Sequence, residues 1–417
     1  MKRVTWAAII FSFVFVSMIW GSLLWAQPKT IKIGWTGPLS GPAAESGIAM
    51  KQSGTLAMEE WNAKGGIYIA EAKKKLPVEI LFEDCQSKPE VGVNLVEKFI
   101  TRDKVCLVLS DALHSHVTLA VMELAPKYDF PIVSIGPVSD QISGKVAKDP
   151  ARYRSFWKGD ISTGAFSQMM FQTYKDLILE KLFVPKNKTV AFFMEDTDYG
   201  RSYATELGKL FGNLGWKTAA VETVPLGHTD CYPQLTKLKS LNPDILFTCF
   251  TSIASGVAAV KQFHELGLKC SHYGIYYTLK PEFVPQAGKA AEYLLWGPMN
   301  LDPEHVPMHK EFAEKIRKRW NVTINWDIAM GYDGVNNALD AIERAGTLDS
   351  KKIVEALSKL DRKGVMGRYV FDASNHEIIG GAEYFSNPTG QVVGGKSAII
   401  WPSAVAVKKY VTPPWMQ

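Results

Sequence analysis

Hydrophobic and polar positions change period repeatedly along this chain, and each change marks a predicted element. Ile31 and Ile33 flank Lys32 and stop at Gly34, which reads as a short strand running into a turn rich in Gly and Pro. From Ala49 the apolar residues recur at helical spacing through Leu56, Ala57 and Trp61, until Gly65 and Gly66 let the backbone turn left-handed and end the helix. The loop 34–47 therefore lies at the carboxyl end of a strand, where an open α/β sheet binds its ligands; an ordinary strand-to-helix turn fits the same residues equally well. Alternation continues with strand 78–82, helix 90–102, strand 105–109, helix 115–128 and strand 132–135, and such short connections predict a parallel, doubly wound sheet. Residues 154–157 read as a crossover strand. The pattern then restarts with helix 164–182, strand 189–194, helix 200–214, strand 217–224, helix 233–240, strand 244–249 and helix 254–266. Two lobes of one plan imply a cleft that opens and shuts. Three more amphipathic helices follow, 309–320, 331–345 and 351–360.

The amino terminus has a different character. Lys2 and Arg3 precede an uncharged run from Val4 to Trp25, and small Ala26 is followed by Gln27 and Pro28. This reads as a secretory signal peptide, residues 1–26, cleaved after Ala26; an uncleaved membrane anchor is the alternative. The charge balance of 47 basic against 42 acidic residues becomes 45 against 42 without Lys2 and Arg3, and no basic stripe accompanies it, so a nucleic-acid partner is not expected. About 390 remaining residues are too many for one core and suit two domains. Five cysteines cannot all pair within one chain. Cys85 and Cys106 fall at opposite edges of a parallel sheet, whereas Cys231 and Cys249 both follow strands and could meet.

Several stretches together carry a family resemblance: GPLSGPAAESG with LAMEEWNAKGGI, LAPKYDFPIVS at 124–134, DTDYGRS at 196–202, LTKLKSLNPDILF at 235–247 and YDGVNNALDAIERAG at 332–346. Joined in this order they resemble the type I periplasmic solute-binding proteins, in particular the leucine/isoleucine/valine-binding group that serves ABC importers. The resemblance implies an α/β chain of two doubly wound parallel-sheet lobes joined by three crossovers, a Venus flytrap. It places lobe 1 at residues 29–156 plus 295–369 and lobe 2 at 157–294 plus 370–417. Residues 292–298 and 369–372 resemble the return and third crossovers, and the Gly-rich remainder reads as strands returning to the second lobe.

The same resemblance nominates a site. Ser115 matches the serine that holds a ligand carboxylate in the family, at a predicted helix start whose open N–H groups favour an anion; the residue fits a simple helix cap as well. His114, beside it, could add a donor, respond to pH or sit on the rim. The next strand exits through Gly136, Pro137, Val138 and Ser139. Relatives usually carry an Ala-Thr pair there, but Pro137 lacks an N–H and Val138 lacks a hydroxyl, with Ser139 one position along. From the second lobe, Tyr199, Phe250 and Thr251 fall at pocket positions. Tyr276 and Tyr277 stand where amino-acid binders carry an acid for the ligand's ammonium, and Ser46 stands where Tyr is frequent.

Other chemistries find no support in spacing. GxGxxG, a P-loop, GxSxG, HExxH, CxxC and metal-spaced Cys/His clusters are all absent, so no cofactor, metal or catalysis is expected. The reading is an exported binding protein, periplasmic and monomeric, that captures a small carboxylate-bearing solute and delivers it by transient docking to a membrane ABC permease. That solute is branched-chain amino-acid-like or, preferred, an aromatic or aliphatic acid without a free amino group. A sensor pathway would use the same cleft, and an α/β enzyme is the remaining alternative.

Overall fold

The protein is described from a computed structural model covering residues 29–417, apart from 111–112, 298–300, 302–306, 382, 386 and 405. The signal-peptide reading lies outside the described residues. Five strands form the first sheet, in the spatial order Val78–Asp84, Ile31–Gly37, Leu107–Ser110, Ile132–Ser134 and Phe156–Lys158, and every neighbour is parallel. The second sheet has seven strands. Its parallel part runs Lys217–Val224, Thr189–Glu195, Ile245–Phe250, Ser271–Tyr276 and Leu295–Trp296, after which Thr389–Val393 and Lys396–Trp401 add on antiparallel. In chain order both parallel sets read second, first, third, fourth, fifth. Each lobe thus reverses direction once between its first and third strands, where open α/β sheets leave a crevice for a ligand.

Central strands are buried along their length, as expected when helices cover both faces of a sheet: Leu107–Ser110, Ile132–Ser134 and Ile245–Phe250 have no exposed residue. The opening helix, Ala44–Ala63, packs against Trp326–Ala345 from the far end of the chain. Gly331 permits the contact, since a Cβ there would lie 2.5 Å from the backbone of Met50, and Trp61 Nε1 donates to Asn336 Oδ1 at 2.9 Å. Distant sequence therefore completes the first lobe.

Several expectations need correction. The helix expected over 115–128 is two, Ser115–Val121 and Leu124–Tyr128, because Pro126 has no N–H to give to the preceding turn. Leu295–Trp296, read as the return crossover, is a strand of the second sheet, paired with Tyr273 and Gly274 on one side and Gln391 and Gly390 on the other. Residues 154–157 end in Phe156–Lys158, the edge strand of the first sheet. At the third junction Arg368–Val370 pairs with Asp361–Lys363, and Glu377 bridges to Lys158. Cys231 and Cys249 are free thiols. They lie in different hydrophobic clusters on opposite faces of the second sheet, which keeps them apart.

Candidate functional site

Both crevices face one another, and the residues leaving the strands at the two reversals enclose one cavity. It is lined by residues of both lobes. The first lobe supplies Leu113, His114, Ser115 and His116 after the Leu107–Ser110 strand, Gly136 and Val138 after Ile132–Ser134, and Trp326. The second supplies Glu195, Thr197, Tyr199 and Tyr203 after Thr189–Glu195, Thr251 after Ile245–Phe250, and Tyr276, with Phe166 from the Thr163–Leu179 helix. Such a lining, apolar with few polar groups, is of the kind that holds a small organic molecule.

Aromatic rings make most of the wall. Tyr199 meets Tyr203 edge-on at 5.3 Å and Tyr276 at 6.2 Å, and Tyr276 meets Trp326 at 5.4 Å. Burial pushes the hydroxyls of Tyr199, Tyr203 and Tyr276 well above the usual phenol range, so the rings are neutral. The Trp326 indole is 3% exposed, and its Nε1 has no hydrogen-bond partner in the protein.

Polar groups interrupt this wall. Ser115 Oγ accepts from Ser139 N at 3.1 Å, which leaves its own hydrogen to give. Ser139 Oγ caps the Asp140–Lys148 helix through Gln141 N and meets Ser202 Oγ of the second lobe at 2.6 Å. His114 is the cap residue of the Ser115–Val121 helix and packs edge-on against His116 at 5.1 Å. Burial, followed by the neighbouring His116, pushes the His114 imidazole down to about 3, so it is neutral at pH 7. From the second lobe, Glu195 accepts from Thr251 N at 2.7 Å, Thr251 Oγ1 at 2.5 Å and Thr197 Oγ1 at 3.3 Å, while burial raises its pKa.

A buried cluster adjoins this wall. Tyr276 OH donates to Asp327 Oδ1 at 2.6 Å and lies 3.1 Å from Ser46 Oγ. Lys280 Nζ donates to Ser46 Oγ at 2.8 Å and pairs with Asp327 Oδ2. Ser46 and Asp327 open the two packed helices of the first lobe, whereas Tyr276 and Lys280 leave a strand of the second.

The residues nominated from sequence thus divide. His114, Ser115, Gly136, Val138, Tyr199, Thr251 and Tyr276 line the cavity. Ser46 and Ser139 stand behind its wall, and Pro137 lies between two lining residues without lining it. Phe250 and Tyr277 do not reach it. Phe250 is the last residue of its strand and falls on the face turned to Phe193, 5.1 Å away. Tyr276 has φ +75°, a conformation rare for a residue with a side chain, and the kink sends Tyr277 into the core, where its hydroxyl meets Thr248 Oγ1 at 2.7 Å. Glu195, Thr197, His116, Phe166, Tyr203 and Trp326 were not nominated. Glu195 and Thr197 could have been found, since the strand ahead of Tyr199 runs one residue longer than its apolar pattern.

Among the described residues no cluster of three or more His, Cys, Asp or Glu could hold a metal ion, and no helix is long and apolar enough to cross a membrane. The thiols of Cys106, Cys231 and Cys270 are pushed up to about 12 by burial, which keeps them protonated and unreactive.

Comparison with known proteins agrees with this geometry. The family sequence profile described as periplasmic binding protein matches residues 30–385. A Leu/Ile/Val-binding protein homologue of Brucella abortus is 24% identical over 346 residues, covering 82% of this chain and 86% of its own length. Among solved structures, the branched-chain amino acid substrate-binding protein of Streptococcus pneumoniae in complex with isoleucine superposes with a TM-score of 0.71 at 24% identity, covering 88% of this chain and 98% of that one. A solute-binding protein of an ABC transporter from R. palustris in complex with benzoate gives 0.74 at 16% identity, covering 89% and 95%. Sheet order, the facing crevices and the profile match coincide: the chain belongs to the type I periplasmic binding proteins of the leucine/isoleucine/valine-binding family.

Proposed function

We propose that this protein captures a small carboxylate-bearing solute with an apolar or aromatic body, without a free α-amino group, and hands it to an ABC permease after export. The observation that carries the reading is the cavity wall: five aromatic rings, Phe166, Tyr199, Tyr203, Tyr276 and Trp326, drawn from both lobes. Such rings bury a flat or branched hydrocarbon body well. Its carboxylate is assigned to the Ser115 hydroxyl and the unpartnered Trp326 Nε1. The lobe built on the five-stranded sheet and the lobe built on the seven-stranded sheet are the two proposed moving bodies, and closure sets the ligand between them. Val138 offers an ammonium no hydroxyl oxygen to accept from it, and a buried ammonium without partners is costly. Relatives of known structure include both isoleucine and benzoate complexes, so the fold accommodates either class.

One observation favours a second reading, a free amino acid: Glu195 places a carboxylate on the cavity wall. Calorimetry with leucine, 4-methylpentanoate and benzoate separates the two readings. The first expects the acids to bind and leucine to bind at least tenfold more weakly; tight leucine with silent acids would sink it. Under the first reading Glu195→Gln leaves acid binding unchanged or tighter, because a like charge is removed. Under the second it weakens leucine by about 1–3 kcal/mol, the range for a hydrogen bond to a charged group.

Ser115→Ala is expected to weaken acid binding by about 1–3 kcal/mol while leaving the Ser139 Oγ cap on Gln141 N in place. Equal affinities in calorimetry would confine Ser115 to its bond with Ser139.

A further inference from the structure

The Lys280–Asp327 pair has a chemistry that the cavity alone does not explain. Both side chains are buried, at 3% and 2% exposure, and they come from opposite lobes. A buried ion pair is a poor way to add stability but a good way to fix one arrangement of two bodies, because each charge left alone in the interior is heavily penalised. Asp327 is tied to the cavity in two ways. It follows Trp326 in sequence, and it accepts from the hydroxyl of Tyr276; both of those residues line the cavity. Lys280 stacks its ammonium over the same Tyr276 ring, 5.3 Å from the centroid. The backbone at Tyr276 is kinked, with φ +75°. Other charges that act here are Glu45, which is exposed, and Glu282, while Ser46 completes the donor and acceptor set.

We propose that Lys280 is a built-in counter-cation: it claims Asp327, the carboxylate beside Tyr276, and thereby sets specificity against ligands that bring their own ammonium while tying the closed lobes together. The inference rests on the reading of the ligand as an acid without an amino group. The acid that adjoins Tyr276 already has an ammonium, supplied by the chain. The remaining cavity carboxylate, Glu195, is engaged by three donors from Thr197 and Thr251. An ammonium-bearing ligand therefore meets a site whose acid on this side is neutralised, and specificity is the resulting difference in affinity.

The test uses the full mature chain with leucine and 4-methylpentanoate, which differ only by the amino group. Lys280→Met frees Asp327, and the affinity for leucine relative to 4-methylpentanoate should rise at least tenfold. Adding Asp327→Asn should cancel that gain, and this double variant also guards against misfolding from a lone buried charge. An unchanged ratio in Lys280→Met, or a gain that survives Asp327→Asn, overturns the proposal. Wild type that prefers leucine refutes the acid-ligand reading instead, and the shift on Lys280→Met still reports on Lys280. A ligand-independent measurement stands beside these: amine acetylation followed by peptide mass spectrometry. Lys280 should label at least tenfold more slowly than exposed Lys351, and Asp327→Asn should remove that protection. Equal labelling of Lys280 and Lys351 in the wild type would overturn the latch even if neither probe binds.

Discussion

Gly47→Ala is expected to destabilise the protein by about 3 kcal/mol or more and to weaken ligand binding at least tenfold. A Cβ on Gly47 would stand 1.8 Å from the carbonyl oxygen of Pro38 and 2.6 Å from its carbon, distances that no real contact tolerates. The obstacle is backbone, so no side-chain rotation relieves it. Nor can the loop simply retreat, because Leu39 N is held by Asp84 Oδ1 at 2.8 Å at the end of the neighbouring strand. The helix start must therefore move, and overpacking of this kind costs several kcal/mol when the backbone has to shift. Binding suffers with stability because Ser46, the adjacent residue, meets Lys280 and Tyr276 across the cleft. Gly144→Ala provides the control. It lies in the Asp140–Lys148 helix with nothing within 4 Å of the new methyl, and removal of a helical glycine should be neutral or stabilising by about 0.5–1 kcal/mol. Urea unfolding that fails to separate the two variants would refute the account of Gly47.

How much of this was legible in the sequence depends on the range of the interaction concerned. Strands such as Lys217–Val224 and the helices Thr163–Leu179 and Ile253–Leu266 fall where apolar period and turn residues put them, because those signals are local. The loop after Ile31–Gly37 was recognisable as a strand-end loop for the same reason. Register and partnership were not legible. Leu295–Trp296 has too few residues to show a period, and its place is decided by a strand that precedes it, Ser271–Tyr276, and one more than 90 positions later, Thr389–Val393. Phe250 and Tyr277 illustrate the limit within the site. Which face a strand-end residue takes turns on a single position, and the positive φ of Tyr276, carried by a residue other than glycine, leaves no mark in the sequence. The acidic counterpart of Lys280 was hidden for another reason: Asp327 opens a helix whose apolar pattern becomes clear only further along, and the two residues meet only because the lobes do.

Lowering the pH from 6.5 to 5 is expected to cost the native state about 2 kcal/mol through His272 alone, and about as much again through His114. The His272 ring is buried in the second lobe against Phe263, 4.5 Å between centroids, with Nε2 2.8 Å from Thr248 Oγ1. Burial pushes its pKa from 6.5 down to about 3. Between those values the unfolded chain binds a proton that the native state refuses, so stability rises with pH across the window. The contribution is complete above pH 6.5 and is lost as pH falls toward 3, at about 1.4 kcal/mol per pH unit for each histidine once the difference in protonation is fully developed. Two carboxyls act in the opposite direction. Burial raises Asp160 well above its ordinary value and raises Glu195 as well, so their contribution is present at low pH and is lost as pH rises through their folded values. They blunt the acid loss in the wild type without altering the share that belongs to His272, which is why a difference measurement is needed. His272→Gln keeps an amide able to reach Thr248 but removes the titration. Unfolding free energies of wild type and variant should converge by about 2 kcal/mol between pH 6.5 and 5, the wild type losing more. Parallel pH profiles would mean that the native His272 takes up its proton as readily as an exposed one, and that burial of the ring does not govern the acid stability of this lobe.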